Sequence, residues 1–505
     1  MQNSANLYSE LKAQWREPEK PAIETASGGL YRFRDVDETS ARLANALVAL
    51  GVKPGDRVAV QVDKSPEAVF LYLACLRAGA AYLPLNTAYT EAELEYFLKD
   101  AGPALFVCRP QGEAAGTALC VTASVPQCRT LGTASDGSLM ALAAARADTF
   151  ADIPRAPDDL AAILYTSGTT GRSKGAMITH GNLASNARTL AGLWRFTASD
   201  VLLHALPVFH VHGLFVAGNV ALMSGAAMLF LPKFDADEVF RLLPRATVMM
   251  GVPTFYVRLL ADERLTPEAA HGMRLFISGS APLLSETFRQ FRERSGHTIL
   301  ERYGMTETGM NTSNPYDGER IAGTVGLPLP GVEVRVVDPG TGAPLGPGET
   351  GMIEVRGPNV FKGYWRMPEK TAAEFREGGF FITGDLGKID AAGYVHIIGR
   401  GKDLVISGGY NVYPKEIETE IDGLEGVAES AVIGVPHQDF GEGVVAVVVR
   451  TNPALTEAAV LEILKKRLAN YKLPKRIVFV QDLPRNTVGK VQKKLLRDEF
   501  GNLFS

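Results

Sequence analysis

The feature that most constrains this chain is the segment 159–175, DLAAILYTSGTTGRSKG, in which an apolar run passes straight into a loop of hydroxyls and glycines. The run reads as a buried strand, and the loop sets Thr166, Ser167, Thr169 and Thr170, with Gly168 and Gly171, ahead of Lys174. Backbone N–H groups and hydroxyls so placed can surround a polyphosphate. The Walker pattern is absent: Ser173 stands five residues after Gly168 where a glycine is required, and the Gly-Lys pairs at 387, 401 and 489 are not followed by Ser or Thr. Kinase and GTPase readings lose their support. Taken singly, Ser, Thr and Gly are commoner in plain surface linkers; the buried strand ahead of them and Lys174 favour the phosphate loop.

At 505 residues the chain exceeds one compact core, so two or more domains are expected. A formal net charge of −4 lacks the electrostatic footprint of nucleic-acid binders, which leaves small molecules as partners. Cys75, Cys108, Cys120 and Cys128 show no CxxC spacing and read as free thiols. The first twenty residues lack the apolar centre of a signal peptide, and Glu10, Glu17 and Glu19 oppose a transit peptide. The apolar stretches 201–209 and 213–223 fall short of a membrane span. No membrane is expected, and the default location is cytoplasmic.

Helical spacing over 40–50, a strand at 56–61 and a helix at 181–194 capped by Thr179 continue an α/β alternation. From 320 to 400 the texture changes to short strands between Gly and Pro turns, at 332–338, 351–357 and 394–400, which predicts a small β-barrel or sandwich. Beyond 403, helix 414–422, strands 428–435 and 443–450, helix 456–470 and strand 476–481 form a compact α+β unit. The expected organisation is a large domain over 1–400 and a small one over 401–505.

Further motifs follow in order: FHVHG (209–213), SGSAPL (278–283), ERYGMTETG (301–309), TGDLG (383–387), GRGKD (399–403), SGGYNVYPKEIE (407–418) and LPRNTVGK (483–490). Together with the glycine loop, this series resembles the adenylate-forming superfamily of acyl-CoA synthetases, luciferases and peptide-synthetase adenylation domains. The resemblance implies a large N-terminal domain of two α/β subdomains plus the small β-barrel, and a small mobile C-terminal domain. It implies ATP, Mg²⁺ and coenzyme A as cofactors. Glu307 is a hard oxygen donor beside the Thr306 hydroxyl, as Mg²⁺ prefers, and the resemblance assigns Glu307, with Thr166, to that metal.

The adenine and nucleotide pocket falls by the same resemblance to Gly279, Ser280, Ala281 and Pro282, with Glu301, Arg302, Tyr303, Gly304 and Met305. Asp385 is implied to hold the ribose hydroxyls, with Arg400 assisting. Attack of a carboxylate on the α-phosphorus brings two anions together and needs a bridging cation, and the motif match makes Lys490 that cation. The family rotates its small domain between half-reactions: Lys402 matches the hinge, and Ser407, Gly408 and Gly409 match the loop lining the pantetheine tunnel.

His210 borders the family's carboxylate pocket. Amino-acid-activating relatives carry an aspartate there, and FHVHG has none. The stretches 163–177, 300–316 and 358–371 resemble malonyl-CoA synthetases, which implies a malonate:CoA ligase. A dicarboxylate needs a second anion site paired with a guanidinium; Arg274 is the preferred candidate and Arg258 the other. Met310 is placed to close the pocket against bulky α-substituents. Gly309, where close relatives often carry a larger polar residue, leaves methylmalonate open as a substrate. The alternatives are a short-chain or aryl acid:CoA ligase, and a non-catalytic nucleotide-binding protein, against which the intact Lys490, Glu307, Asp385 and Arg400 speak. Acylation of Lys490 by an acyltransferase is expected to silence the first half-reaction.

Overall fold

Two mostly parallel sheets organise the first part of the chain. The structure, a computed structural model, describes residues 4–166, 173–407, 410–486 and 489–504. One sheet has six strands in the order Cys128–Thr130, Leu105–Cys108, Arg57–Gln61, Ala81–Pro84, Leu160–Thr166, Lys174–Thr179. Its pairs are parallel except the last, where Leu160–Thr166 turns back antiparallel onto Lys174–Thr179. The other sheet has nine strands, with a parallel centre running from Leu300–Met305 through Leu275–Ser278, Val248–Gly251, Val201–His204 and Ala227–Phe230 to Pro21–Thr25.

Helices cover these sheets with stripes of apolar side chains. Helix Phe33–Ala49 buries Phe33, Val36, Leu43, Ala44 and Leu47 at three- and four-residue steps, the spacing of one helical face. Thr179 caps helix His180–Leu193: its hydroxyl accepts from the Asn182 N–H, and the Asn182 side chain accepts from the Thr179 N–H. The expected helix and strand positions are thus met to within a residue or two here, whereas Phe33–Ala49 starts seven residues before the expected 40–50.

The short strands of the third quarter form an antiparallel meander, Glu333–Val337, Gly351–Arg356, Phe381–Ile389 and Val395–Arg400. Its fully buried Glu354 is tolerated because Arg335 and Arg376 each bind one carboxylate oxygen, at 2.8 and 3.0 Å. Strands Val427–His437 and Gly441–Arg450 pair antiparallel in the C-terminal sheet, and Arg476–Val480 adds in parallel. Helices Pro414–Asp422, Glu457–Leu464 and Lys493–Phe500 complete that unit. No described helix is long and apolar enough to cross a membrane.

Candidate active site

Ligands of open α/β sheets bind beyond the carboxyl ends of the strands, and the motifs converge there. Strand Leu275–Ser278 ends in the 279–284 loop, and its neighbour Leu300–Met305 carries Glu301 to Met305. Ser280 sits at φ +71°, a left-handed conformation that costs a non-glycine residue free energy. The loop is held by Ser280 Oγ, 3.1 Å from His212 Nδ1, and by the Leu283 N–H donating to Glu301 Oε1 at 3.0 Å. Burial pushes the Glu301 carboxyl up to about 8.

Arg302 is the central charge of this pocket. It is 3% exposed, and its Nε and Nη2 are buried without a hydrogen-bond partner. Burial lowers its guanidinium to about 9. Gly279 lies against it so closely that a Cβ there would stand 2.4 Å from Cζ, so only glycine fits. Buried and unpartnered beside it in the chain's fold are Ser278 Oγ and His212 Nε2. His210 completes the group: its Nδ1 accepts from the His212 N–H at 3.2 Å, so a neutral ring carries its hydrogen on Nε2. Burial, with the Lys490 and Arg302 cations, lowers His210 to about 3. A cluster of donors with one uncompensated buried cation is an anion receptor.

A second cluster surrounds Asp385. Tyr303 donates to Asp385 Oδ2 at 2.5 Å, and Arg400 Nε pairs with Asp385 Oδ1 at 2.8 Å. Asp385 and Arg400 oppose each other in the register of Phe381–Ile389 and Val395–Arg400, which is why two motifs fifteen residues apart meet. Glu307 is buried, and burial raises its carboxyl. Tyr364 links it to the phosphate side: its hydroxyl lies 3.1 Å from Glu307 Oε1 and 2.7 Å from Glu374 Oε2, while Lys174 Nζ pairs with Glu374 Oε1 at 3.1 Å and sits over the Tyr364 ring. The sequence reading missed Tyr364 and Glu374; Tyr364 lies in the stretch 358–371, used there for its resemblance, and Glu374 lies three residues beyond it. Thr306 lines a small cavity with Val211, Phe215 and Asn359. Thr166 Oγ1 reaches back to the Lys174 carbonyl at 3.4 Å.

Lys490 reaches this site from the C-terminal unit. The Asn486 side chain accepts from its N–H at 2.9 Å, fixing the turn. Loss of solvent around its ammonium lowers the pKa, Arg400 adding to the effect and Asp385 and Glu307 opposing it. Lys402 is exposed in the turn Gly401–Asp403, and Ser407 ends strand Val405–Ser407. Ser167, Gly168, Thr169, Thr170, Gly171, Gly408 and Gly409 lie outside the described residues.

Both arginines expected to receive a second carboxylate are elsewhere. Arg274 precedes strand Leu275–Ser278, at the end opposite the pocket, and its guanidinium is consumed by Asp200 at 2.7 and 2.9 Å and by the Trp194 carbonyl at 3.0 Å. Arg258 is exposed near the Phe234 ring, on the outer face of helix Pro253–Leu260. The reading erred because proximity to a motif along the chain does not say which end of a strand faces the ligand. Arg274→Met is therefore expected to cost stability, about 3 kcal/mol from leaving Asp200 buried and unpaired, with an unchanged KM for the acid. Denaturant unfolding and steady-state kinetics check both halves.

Met310 is 1% exposed, and its Cε would stand 2.6 Å from a Cβ at Gly304, so it packs against the 301–305 strand. Gly309 has φ +58°, and a Cβ there would meet Asn186 Oδ1 at 2.9 Å. Backbone and neighbour both favour glycine at this position.

Lys174, Glu307, Asp385, Arg400 and Lys490 thus lie close enough to one another or to Arg302 to interact electrostatically. The AMP-binding enzyme family matches residues 11–365, and the AMP-binding enzyme C-terminal domain matches 416–490. The chain belongs to the AMP-binding enzyme family. It is 35% identical to a feruloyl-CoA synthase from Amycolatopsis sp over 94% of this chain and 95% of that protein. It is 36% identical to a malonate–CoA ligase from Arabidopsis thaliana over 90% and 79%. Among solved structures, ATP-bound MatB from Rhodopseudomonas palustris is 60% identical, covers 99% of this chain and 100% of its own, and superposes with a TM-score of 0.98. The apo form of the same protein gives 0.87 at the same identity, so the arrangement here follows the ATP-bound form.

Proposed function

We propose that the chain is a malonate:CoA ligase (AMP-forming), which joins ATP and malonate into malonyl-AMP and pyrophosphate, then forms malonyl-CoA and AMP. The observation that carries this reading is the Arg302 guanidinium, buried with two nitrogens unpartnered beside His210 and His212. A monocarboxylic acid with an apolar tail would leave that charge buried and unpaired, whereas the distal carboxylate of malonate compensates it. The similarity to MatB and to malonate–CoA ligases supports the same acid.

In the first half-reaction a malonate carboxylate oxygen attacks the α-phosphorus, and the bond to pyrophosphate breaks. Lys490 bridges the two anions as charge gathers on the phosphorus oxygens. His210 donates from Nε2 to the acid, and Asp385 with Tyr303 orients the nucleoside. Glu307 and the Thr306 and Thr166 hydroxyls are hard oxygen donors that suit Mg²⁺, which binds through few protein ligands and takes phosphate oxygens and water for the rest; bound there it would neutralise triphosphate charge. In the second half-reaction the CoA thiol loses its proton, its sulfur attacks the acyl carbonyl, and AMP leaves. Movement of the small domain about Lys402 withdraws Lys490 and brings the 407–409 segment to the thiol path.

The direct test is ATP–pyrophosphate exchange without CoA. Malonate is expected to support it, with acetate and benzoate well below; exchange driven better by benzoate would favour the aryl-acid alternative. A second test uses pH. Lys490 acts as a cation and its pKa is lowered, so its charge is lost as pH rises through a value below that of an ordinary lysine. The alkaline limb of kcat/KM for malonyl-AMP formation should fall early. Thioesterification of supplied malonyl-AMP should lack that limb; the same limb in both steps would remove Lys490 as its cause.

Acylation of Lys490 by a protein acyltransferase would erase the same charge and stop malonyl-AMP formation while sparing the second step. The setting we propose is the cytoplasm, in keeping with four cysteines that are all free.

A further inference from the structure

Three of the four cysteines meet on one edge of the six-stranded sheet, away from the active site. Cys108 ends strand Leu105–Cys108, Cys128 opens the edge strand Cys128–Thr130, and Cys120 lies on helix Glu113–Ala123 packed against them. Gly116, one turn before Cys120 on that helix, shows how tightly they converge: a Cβ there would stand 2.8 Å from Cys108 Sγ and 3.3 Å from Cys128 Sγ. The glycine makes room for sulfur. Cys128 follows Gln127, whose carbonyl accepts from the Cys120 thiol at 3.9 Å. Cys108 and Cys120 are buried, while Cys128 is half-buried on the outermost strand, the only one of the three open to a small solute.

We propose that this trio is a peroxide-reactive modification site in which Cys128 is the attacking sulfur, Cys108 packs beside it, and Cys120 resolves it as a disulfide. The neighbouring Cys108 thiol first, then that of Cys120, holds Cys128 below the usual thiol range, and the Arg129 cation adds to this. The Cys128 sulfur, and after it burial, pushes the other two up. The thiolate is thus concentrated on the accessible sulfur.

The chemistry balances with a hydroperoxide as oxidant. The Cys128 sulfur attacks one peroxide oxygen, the O–O bond breaks, and the departing oxygen takes a proton to leave as water or alcohol, giving a sulfenic acid. The Cys120 sulfur then attacks the sulfenic sulfur, an S–S bond forms, and hydroxide leaves with the Cys120 proton as a second water. Both sulfurs are oxidised and the peroxide is reduced. Cys120 is the resolving partner on geometric grounds. Cys120 lies three residues before the end of its helix, and the four-residue connection 124–127 leads from that helix to Cys128. Cys108 and Cys128 lie on adjacent parallel strands offset by two register positions, Cys108 pairing with Thr130 and Phe106 with Cys128; with strands about 4.8 Å apart and a rise of about 3.3 Å per residue their Cα atoms stand roughly 8 Å apart, beyond the reach of an unstrained disulfide.

The experiment treats the full-length protein with hydrogen peroxide, quenches with an alkylating agent, and maps products by mass spectrometry. Wild type is expected to lose two hydrogens and yield a Cys120–Cys128 crosslink, with Cys75 alkylated normally. In Cys120→Ser a dimedone adduct should accumulate on Cys128, and Cys128→Ser should slow the first oxidation at least tenfold. A Cys108–Cys128 crosslink would overturn the assignment of the resolving thiol. Equal, slow oxidation of all four cysteines, or an unchanged rate in Cys128→Ser, would overturn the site itself. Folding of each variant is checked by malonyl-AMP formation, which the trio does not touch.

Discussion

Lys490→Ala is expected to lower malonyl-AMP formation by about 10²–10³-fold, the usual cost of removing one preorganised group from a charge-developing transition state. The same variant should convert supplied malonyl-AMP and CoA to malonyl-CoA at nearly the wild-type rate. The reason is positional. In this structure Lys490 stands among Asp385, Arg400, Glu307 and Arg302, the arrangement that follows the ATP-bound relative. The second step needs a thiol at an acyl carbonyl and no bridge between two anions. Single-turnover assays of each half-reaction separate the two. Equal losses in both would point to a damaged fold or a shared role; no loss in the first would remove Lys490 from the chemistry.

Arg302→Leu is the second large effect. The substitution removes a buried cation whose Nε and Nη2 bind nothing in the protein, so no partner is orphaned and stability should hold or rise. Malonate then loses the guanidinium for its distal carboxylate. One partner of a buried ion pair is worth about 3–5 kcal/mol, which at 1.4 kcal/mol per tenfold is roughly 10²–10³-fold in kcat/KM. Propionate, whose methyl group occupies the place of that carboxylate, should gain relative to malonate. A uniform fall for both acids would mean that Arg302 serves the nucleotide instead. Measuring both acids with the same enzyme preparation cancels errors in active concentration.

The two predictions also mark where sequence reasoning stopped. Lys490, Glu307, Asp385, Arg400 and Tyr303 could be singled out because each sits inside a motif whose residues stay together along the chain. The pairing of Asp385 with Arg400 even follows from two strands that were both foreseen. Strand positions in the C-terminal unit were legible for a like reason, since apolar runs such as 443–450 and 428–435 lie between clear turns; of its helices, the one expected over 456–470 ends at Leu464, and Lys493–Phe500 was not foreseen.

The arginine we propose for the acid was not singled out for that role, for a physical reason. Arg302 was visible inside ERYGMTETG, yet its burial, its bare nitrogens and its contact with Gly279 exist only once strands Leu275–Ser278 and Leu300–Met305 lie side by side. Arg274 was preferred on chain proximity, and the fold spends it on Asp200. Tyr364 and Glu374 escaped notice likewise, since their tie to Glu307 and Lys174 spans up to 200 residues. The cysteine trio shows the same limit. Spacing without CxxC correctly suggested free thiols, but only the sheet edge reveals that three of them share one space.

The central claim is that a buried guanidinium selects a dicarboxylate for adenylation. The most direct measurement is kcat/KM for pyrophosphate release with malonate, methylmalonate, acetate, propionate and benzoate, at saturating ATP, Mg²⁺ and CoA. Malonate should exceed every monocarboxylate by at least about 10²-fold, the scale set by one buried charge pair. Acetate or benzoate matching or exceeding malonate would contradict the account.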